Sequence, residues 1–279
     1  AVTLFNAQQY RVEHAPTNAH ILVEAGAGTG KTFSMVSRVA FLCSKKMDAV
    51  THLAEEVAMV TFTNDAANNM KERLKQMFVH YFILTNKPHF LKLVEDVDRA
   101  HISTIHRFAL DILREEVLHT GLGTNFRITA NAYLRGKIYD DCLSSFLEDM
   151  ELDNPNFLQE IPVPLYELKK KLMSMADCLL AKSVDLKRIK RAEMGVADDQ
   201  PMPYFNDLIE KVVIPAEGIY AREMHLTNTM ELTECLILLQ QVLDECPEKL
   251  ASLKLRYLFI DEFQDTDDVQ IQVFRKLQN

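Results

Sequence analysis

Apolar positions along the chain follow two rhythms. Short apolar runs at Ile21-Leu22-Val23, Val57–Phe62 and Leu255–Ile260 predict buried strands. Elsewhere the apolar residues recur every three or four positions. Phe33, Val36, Val39 and Ala40 predict a helix over Thr32–Ser44, and Ala66, Met70, Leu74 and Met77 predict one over Asp65–Leu84. Pro88 starts a further helix to about Ala100, and Ile102-Ser103-Thr104 leads into one from about Ile105 to His119. Gly121-Leu122-Gly123-Thr124 marks a break. Beyond it, helices are predicted at 131–151, 165–182, 183–194, 204–222 and 228–246, punctuated by prolines, before the last strand and a helix at about 266–278. The order describes an α/β unit interrupted by a mainly α-helical insert.

The first strand and helix enclose Ala25-Gly26-Ala27-Gly28-Thr29-Gly30-Lys31-Thr32. Strand, glycine loop and helix in that order give the motif its meaning. Glycines adopt backbone conformations closed to other residues and keep Cβ atoms away from a ligand. Successive N–H groups can then ring a phosphate at the positive end of a helix. Lys31 supplies a cation for the β and γ phosphates, and Thr32 a hydroxyl for Mg²⁺. Ala25 stands where such loops usually carry their first glycine.

The strand at 255–260 ends in Asp261-Glu262. Ligands of open α/β sheets bind at the carboxyl ends of strands. There Asp261 can hold Mg²⁺, directly or through water, and Glu262 can orient or deprotonate an attacking water. Some 230 positions separate Lys31 from Asp261, so a whole domain lies between the two halves of the site.

Composition changes this picture little. Apolar residues make up 48% and charged residues 25% of 279 residues, which excludes wholesale disorder and fits about two domains. No apolar run reaches a membrane span, and the N-terminus lacks a signal-peptide pattern, so the expectation is a cytoplasmic protein without a membrane partner. Five scattered cysteines without metal-knuckle spacing read as reduced and structural. Net charge is −9, yet residues 169–191 hold eight Lys/Arg against two acids. Considered alone, that run reads as a solvated helix face.

Further segments narrow the class. Phe5-Asn6-Ala7-Gln8-Gln9 resembles the Q motif of superfamily-1 DNA helicases of the UvrD/Rep/PcrA type, with the RecB and AddA branch included. Ala25–Thr32 is similar to their phosphate loop. Val60–Ala67 with Met70 and Arg73 resembles motif Ia, Ser103–His106 with Leu113-Arg114 resembles motif Ib, and Phe259–Thr266 resembles motif II. Two places depart from the family pattern. Asp65 stands where Lys is common, and Met230–Leu236 is a loose match to the acidic-aromatic segment before motif II.

The resemblance implies a RecA-like lobe, a parallel sheet flanked by helices. Its first part would span 1–119 and its second 226–279, with the helical subdomain at 120–225. It implies that Gln9 reads the adenine edge, that Arg38 lies near the base, and that Gln264 couples nucleotide state to DNA. It also implies that Phe62 stacks on single-stranded DNA, with Thr63, Asn64, Thr104 and His106 near the DNA backbone. Motifs III to VI, the second lobe and its arginines do not occur before Asn279, so the expectation is the N-terminal portion of a longer ATP- and Mg²⁺-dependent 3′-to-5′ helicase, with little turnover by itself. Single-stranded and duplex DNA are the expected partners, and the basic run a candidate contact. Two other classes remain open from the residues alone: a small-molecule phosphotransferase on the same loop, and a non-enzymatic module switched by ATP. GTP specificity is not expected, because no Asn-Lys-x-Asp segment is present.

Overall fold

The computed structural model describes residues 6–26, 28–44, 50–115, 125–182, 184–189, 204–245 and 255–277. In chain order the first elements are α1 (Ala7–Glu13), α2 (Lys31–Ser44), α3 (Leu53–Glu56), β1 (Val57–Thr61), α4 (Asn64–Thr85), α5 (His89–Arg99), β2 (His101–Thr104) and α6 (Ile105–Glu115). Then come β3 (Arg127–Ile128), α7 (Ala132–Asp153), α8 (Phe157–Glu160), α9 (Leu165–Ala181) and a 3₁₀ turn at Leu186–Arg188. The chain continues with α10 (Phe205–Leu208), a π-helical turn (Ile209–Val213), α11 (Ile214–Leu226), β4 (Thr229–Met230), α12 (Leu232–Glu245), β5 (Tyr257–Ile260), a 3₁₀ turn (Phe263–Asp265) and α13 (Asp268–Leu277). Two compact units result. The first comprises Ala1–Ile112, Val242–Thr266 and Arg275–Asn279, and the second Leu113–Gln241 and Asp267–Phe274.

The first unit is built on a parallel three-stranded sheet of order β2-β1-β5. Met59 pairs with Ile102 on one side and Phe259 on the other. Central β1 is buried along its whole length, which is why its sequence shows an apolar run rather than alternation. Val36 and Val39 of α2, Leu74 and Phe78 of α4, and Phe90 and Val97 of α5 build its core. Thr63 caps α4 by accepting from the Ala66 N–H at 3.1 Å, and Asn86 ends that helix in the left-handed region.

Buried Glu56 pins the starts of β1 and β5. Its carboxylate accepts from Thr51 N, Thr51 Oγ1 and His52 N at 2.8–2.9 Å and from Arg256 Nη1 at 2.8 Å. Burial alone would raise its pKa, but these donors outweigh burial and hold it below the usual carboxylate value. A depressed folded-state pKa stabilises above the unfolded value of about 4.3 and loses that contribution as pH falls through the folded value. Glu56→Gln is therefore expected to cost roughly 1–3 kcal/mol at pH 7 and to flatten the acid limb of stability below about pH 4.3, read by denaturant titration against pH.

The second unit is helical around Tyr139, Phe146, Leu168, Leu172, Val212 and Ala216. A polar network crosses this core. Buried Arg135 donates to Glu217 Oε1 from Nε at 2.9 Å and Nη2 at 2.6 Å, and to Asp177 Oδ1 at 2.7 Å. Tyr139 donates to the same Glu217 oxygen at 2.6 Å. Tyr220 donates to Glu231 and accepts from the Asn131 N–H.

Four findings differ from the sequence reading. Ile21-Leu22-Val23 is unpaired coil and exposed, with Leu22 at 74%. The segment pairs with neither outer edge of the β2-β1-β5 sheet, so its backbone groups face water. Over 183–194 only the Leu186–Arg188 turn forms among the described residues, and 183 and 190–194 lie outside them. The helix predicted at 204–222 passes through the π turn at Ile209–Val213, which ends two residues before Pro215. Proline has no N–H for the carbonyl one turn back, and its ring crowds that carbonyl, so a wider turn relieves the clash. Strands β2, β3 and β4 had no apolar run long enough to announce them; β3 and β4 pair over two residues each.

No helix among the described residues is long and apolar enough to cross a membrane. Cys43, Cys142, Cys178 and Cys235 are free thiols, and Cys246 lies outside the described residues.

Candidate functional site

The carboxyl edge of the first unit's sheet gathers the chemistry. Asp261 follows β5, and its N–H donates to Val60 O at 2.9 Å, extending the ladder by one bond. Its carboxylate is buried and accepts from Thr32 Oγ1 at 3.1 Å and from the Glu262 N–H at 3.2 Å. Lys31 Nζ donates to Glu262 Oε2 at 3.3 Å. Gln264 Nε2 donates to the same oxygen. The Gln264 donor first, then Lys31, hold the Glu262 carboxyl below its ordinary pKa. Glu262 sits in the left-handed region at φ 55°, which costs a non-glycine residue about 1–3 kcal/mol. That conformation breaks the strand, opens the Phe263–Asp265 turn, and aims the carboxylate back at Lys31.

Opposite stands the glycine loop. Gly28 and Gly30 have φ values of 75° and 88°, conformations open to glycine and strained for other residues. Thr29 Oγ1 donates to Gly26 O at 2.7 Å across the turn. Ala25 and Gly26 are exposed; Ala27 lies outside the described residues. Gly30 O accepts from Ser34 N at 2.9 Å as the first carbonyl of α2.

Gln9 lies beside the loop. Asn6 and Gln9 form a capping box at the start of α1, with Gln9 Oε1 accepting from Asn6 N at 3.1 Å. Gln9 Nε2 reaches Thr29 O at 3.4 Å. A Cβ added at Gly30 would stand 3.0 Å from that nitrogen. One amide N–H and one carbonyl lone pair remain for a further partner. Phe5 lies outside the described residues.

Arg38 is buried on α2, and its fork donates to Glu13 O and Ala15 O at 2.6 Å and Pro16 O at 2.9 Å. Burial lowers its pKa, opposed by nearby Tyr257 and Glu13. The resemblance implies a guanidinium near the base; in the structure three of its N–H groups bond backbone carbonyls. Glu13 and Ser37, which share a hydrogen bond beneath it, belong to no motif legible in the sequence. The Asn6–Gln9 spacing was the legible signal for this corner, since it is a capping box.

The expected DNA residues sit on the same sheet edge. Phe62 is half-buried just past β1, and Thr63 and Asn64 are exposed at the start of α4. Thr104 ends β2, opposite Thr61 in register, and its hydroxyl accepts from Arg107 N at 3.3 Å at the start of α6. His106 lies half-buried on α6. Two helix N-termini thus open side by side, each with a hydroxyl that accepts a backbone N–H and still has a proton to donate outward.

In the second unit, three described members of the basic run form ion pairs within it. Lys169 pairs with Asp140 at 2.7 Å, Lys171 with Glu167 at 3.2 Å and Arg188 with Asp185 at 3.2 Å. These pairs favour the solvated-face reading for that stretch. Lys190 and Arg191 lie outside the described residues.

A parallel sheet whose β5 end sets an Asp-Glu pair against a glycine loop and its lysine places the protein in the α/β class. The chain belongs to the UvrD/REP helicase N-terminal domain family, whose sequence profile matches residues 4–279. It is 27% identical over 274 residues to the ATP-dependent DNA helicase Rep of Salmonella typhimurium, covering 97% of this chain and 33% of that protein. Against the ATP-dependent DNA helicase PcrA of Bacillus subtilis it is 24% identical over 264 residues, covering 94% and 29%. Against one subunit of an ATP-dependent helicase/nuclease of Exiguobacterium sibiricum it is 38% identical over 130 residues, covering 46% and 11%. The chain thus spans about a third, or less, of the length of these relatives.

Proposed function

We propose that this chain is the RecA-like, ATP-binding motor lobe of an ATP-dependent 3′-to-5′ DNA helicase or translocase, working in repair or recombination in a bacterial cytosol. The observation that carries the reading is the meeting of Lys31 and Thr32 with Glu262 and Asp261 on the sheet edge that also bears Thr63 and Thr104. The lobe's two parts would be 1–119 and 226–279, around a helical subdomain at 120–225, and a second lobe outside this chain would complete the ATP site.

In this reading the loop N–H groups of 26–30 hold the terminal phosphates of ATP. Lys31 leaves Glu262 for them, and Glu262, relieved of its ion pair, orients the attacking water and takes its proton. Gln264, bonded to Glu262, reports that change toward the DNA residues. Thr32 Oγ1 and Asp261 Oδ2 are hard oxygen donors in contact, a set that fits Mg²⁺ with phosphate and water as its other partners. When bound, the ion would neutralise charge developing on the phosphoryl oxygens.

The DNA half of the proposal rests on the paired helix N-termini, which favour phosphate. Aspartate also caps helices, so Thr63→Asp with Thr104→Asp keeps both caps but sets negative charge where the phosphates would lie. Fluorescence anisotropy on a labelled single strand is expected to show at least a tenfold loss of affinity, with unchanged Mg-ATP binding. Equal DNA affinity in the double variant would remove this surface from the proposal.

A further inference from the structure

Helix α1 lies along the first two turns of α2 and is pinned at both ends. At its start, Gln9 reaches the loop through Thr29 O. At its end, Arg38 takes the carbonyls of Glu13, Ala15 and Pro16. Arg38 stands seven residues after Lys31, two helical turns or about 10 Å along α2. His14 adds a ring stacked on Tyr10 at 3.9 Å and packed against Phe41 of α2 at 4.4 Å. Ser37 donates to the Glu13 carboxylate.

A guanidinium is a costly group to bury. Here its charge faces the negative end of α1 and the nearby Glu13 carboxylate, and its planar fork satisfies the Glu13 carbonyl at that end and the Ala15 and Pro16 carbonyls just beyond it. A lysine ammonium carries its donors on one nitrogen and could not reproduce the fork, in which Nη1 takes two carbonyls and Nη2 the third. The span from Lys31 to Arg38 is rigid helix, and so is Ala7–Glu13. The arginine therefore sets where Gln9 stands over Gly30.

We infer that Arg38 is a positioning residue for nucleotide-base selection, acting through α1 to hold the Gln9 amide at the phosphate loop rather than touching nucleotide itself. This rests on the proposed ATP site, and it predicts base selectivity and phosphate binding to be separable. Release of the α1 C-terminus lets the helix swing and blurs the Gln9 amide, while the loop and Lys31 stay in place.

The test is a titration of Mg-ATP, Mg-GTP and Mg-tripolyphosphate against this chain, alongside Arg38→Lys, Gln9→Ala, the double variant and Lys31→Ala. Arg38→Lys is expected to lower the preference for ATP over GTP by roughly three- to tenfold, the range of one hydrogen bond, and to leave tripolyphosphate affinity unchanged. Gln9→Ala is expected to do the same, and the double variant to be no worse than either single one, because both act through one amide. A full ATP preference in Arg38→Lys, or additive losses in the double variant, overturns the inference, as does equal loss for ATP, GTP and tripolyphosphate. Arg38→Gln serves as a second variant should Arg38→Lys shift the thermal midpoint. Lys31→Ala separates the two levels. Retained tripolyphosphate affinity in Lys31→Ala overturns the ATP site itself. Lost affinity there with unchanged selectivity in Arg38→Lys overturns the Arg38 role alone.

Discussion

Lys31→Ala is expected to weaken Mg-ATP binding by roughly 10- to 100-fold, whereas Glu262→Gln is expected to leave it unchanged or tighten it a few-fold. The opposite signs follow from one contact. Lys31 Nζ lies 3.3 Å from Glu262 Oε2. Removing the lysine deletes the charge-assisted bonds it would make to phosphate, each worth about 1.5–3 kcal/mol. Replacing the carboxylate instead frees the lysine from a competing anion and removes negative charge beside the γ-phosphate. The Gln264 donor and Lys31 hold the Glu262 carboxyl below its ordinary pKa, so it is ionised throughout the neutral range. The advantage of Glu262→Gln should therefore persist from pH 6 to 8 and vanish in acid, where the parent carboxyl is neutral too. Calorimetric titration of both variants at two pH values checks this. Weakened binding in Glu262→Gln would mean that the carboxylate supports the ligand rather than competing with it.

The largest stability effect is expected at Arg135. Arg135→Ala should cost about 3–5 kcal/mol, because it strands the Glu217 carboxylate inside the helical unit. The Glu217 side chain is only 11% exposed, and its Oε1 takes two donors from Arg135 and one from Tyr139. Removing both charges is a different experiment. Arg135→Met with Glu217→Leu leaves no buried charge of the pair behind, and its cost should fall well below that of Arg135→Ala. Urea unfolding of the three proteins gives the comparison. A double variant as damaged as the single one would mean that the network contributes attraction beyond relief of desolvation.

Much of this site was legible before any fold was known. A glycine loop has to be glycine-rich because only such backbone turns through the left-handed region, and Gly28 and Gly30 do so. Helices α2, α4, α5 and α7 follow the apolar spacing because each buries one stripe, and their bounds fall within a few residues of the expected ones. Other features were hidden for physical reasons. A π turn before Pro215 depends on how one chain segment absorbs a missing N–H, and nothing in the periodicity marks it. The strand expected at Ile21–Val23 carries the right residues, but a strand exists only where a ladder partner lies beside it. Thr104 ends a strand that its short sequence did not announce, because only Ile102 of its four residues is fully buried and the rest of its support is pairing with β1.

Local chemistry is what the sequence determined by itself: a glycine loop at 25–32, a carboxylate pair at 261–262, and the periodicity of the long helices. Each of these follows from backbone freedom or side-chain spacing within a few residues, and no distant contact is needed to read it. The tertiary structure alone decided which of these parts meet. Parallel pairing of β1 with β5 set Asp261 against Thr32, and a left-handed Glu262 turned its carboxylate onto Lys31. Arg38 shows the difference most plainly. Its charge and its place on α2 were visible, but its partners are carbonyls, which every residue carries, so only the folded chain could show that it holds α1.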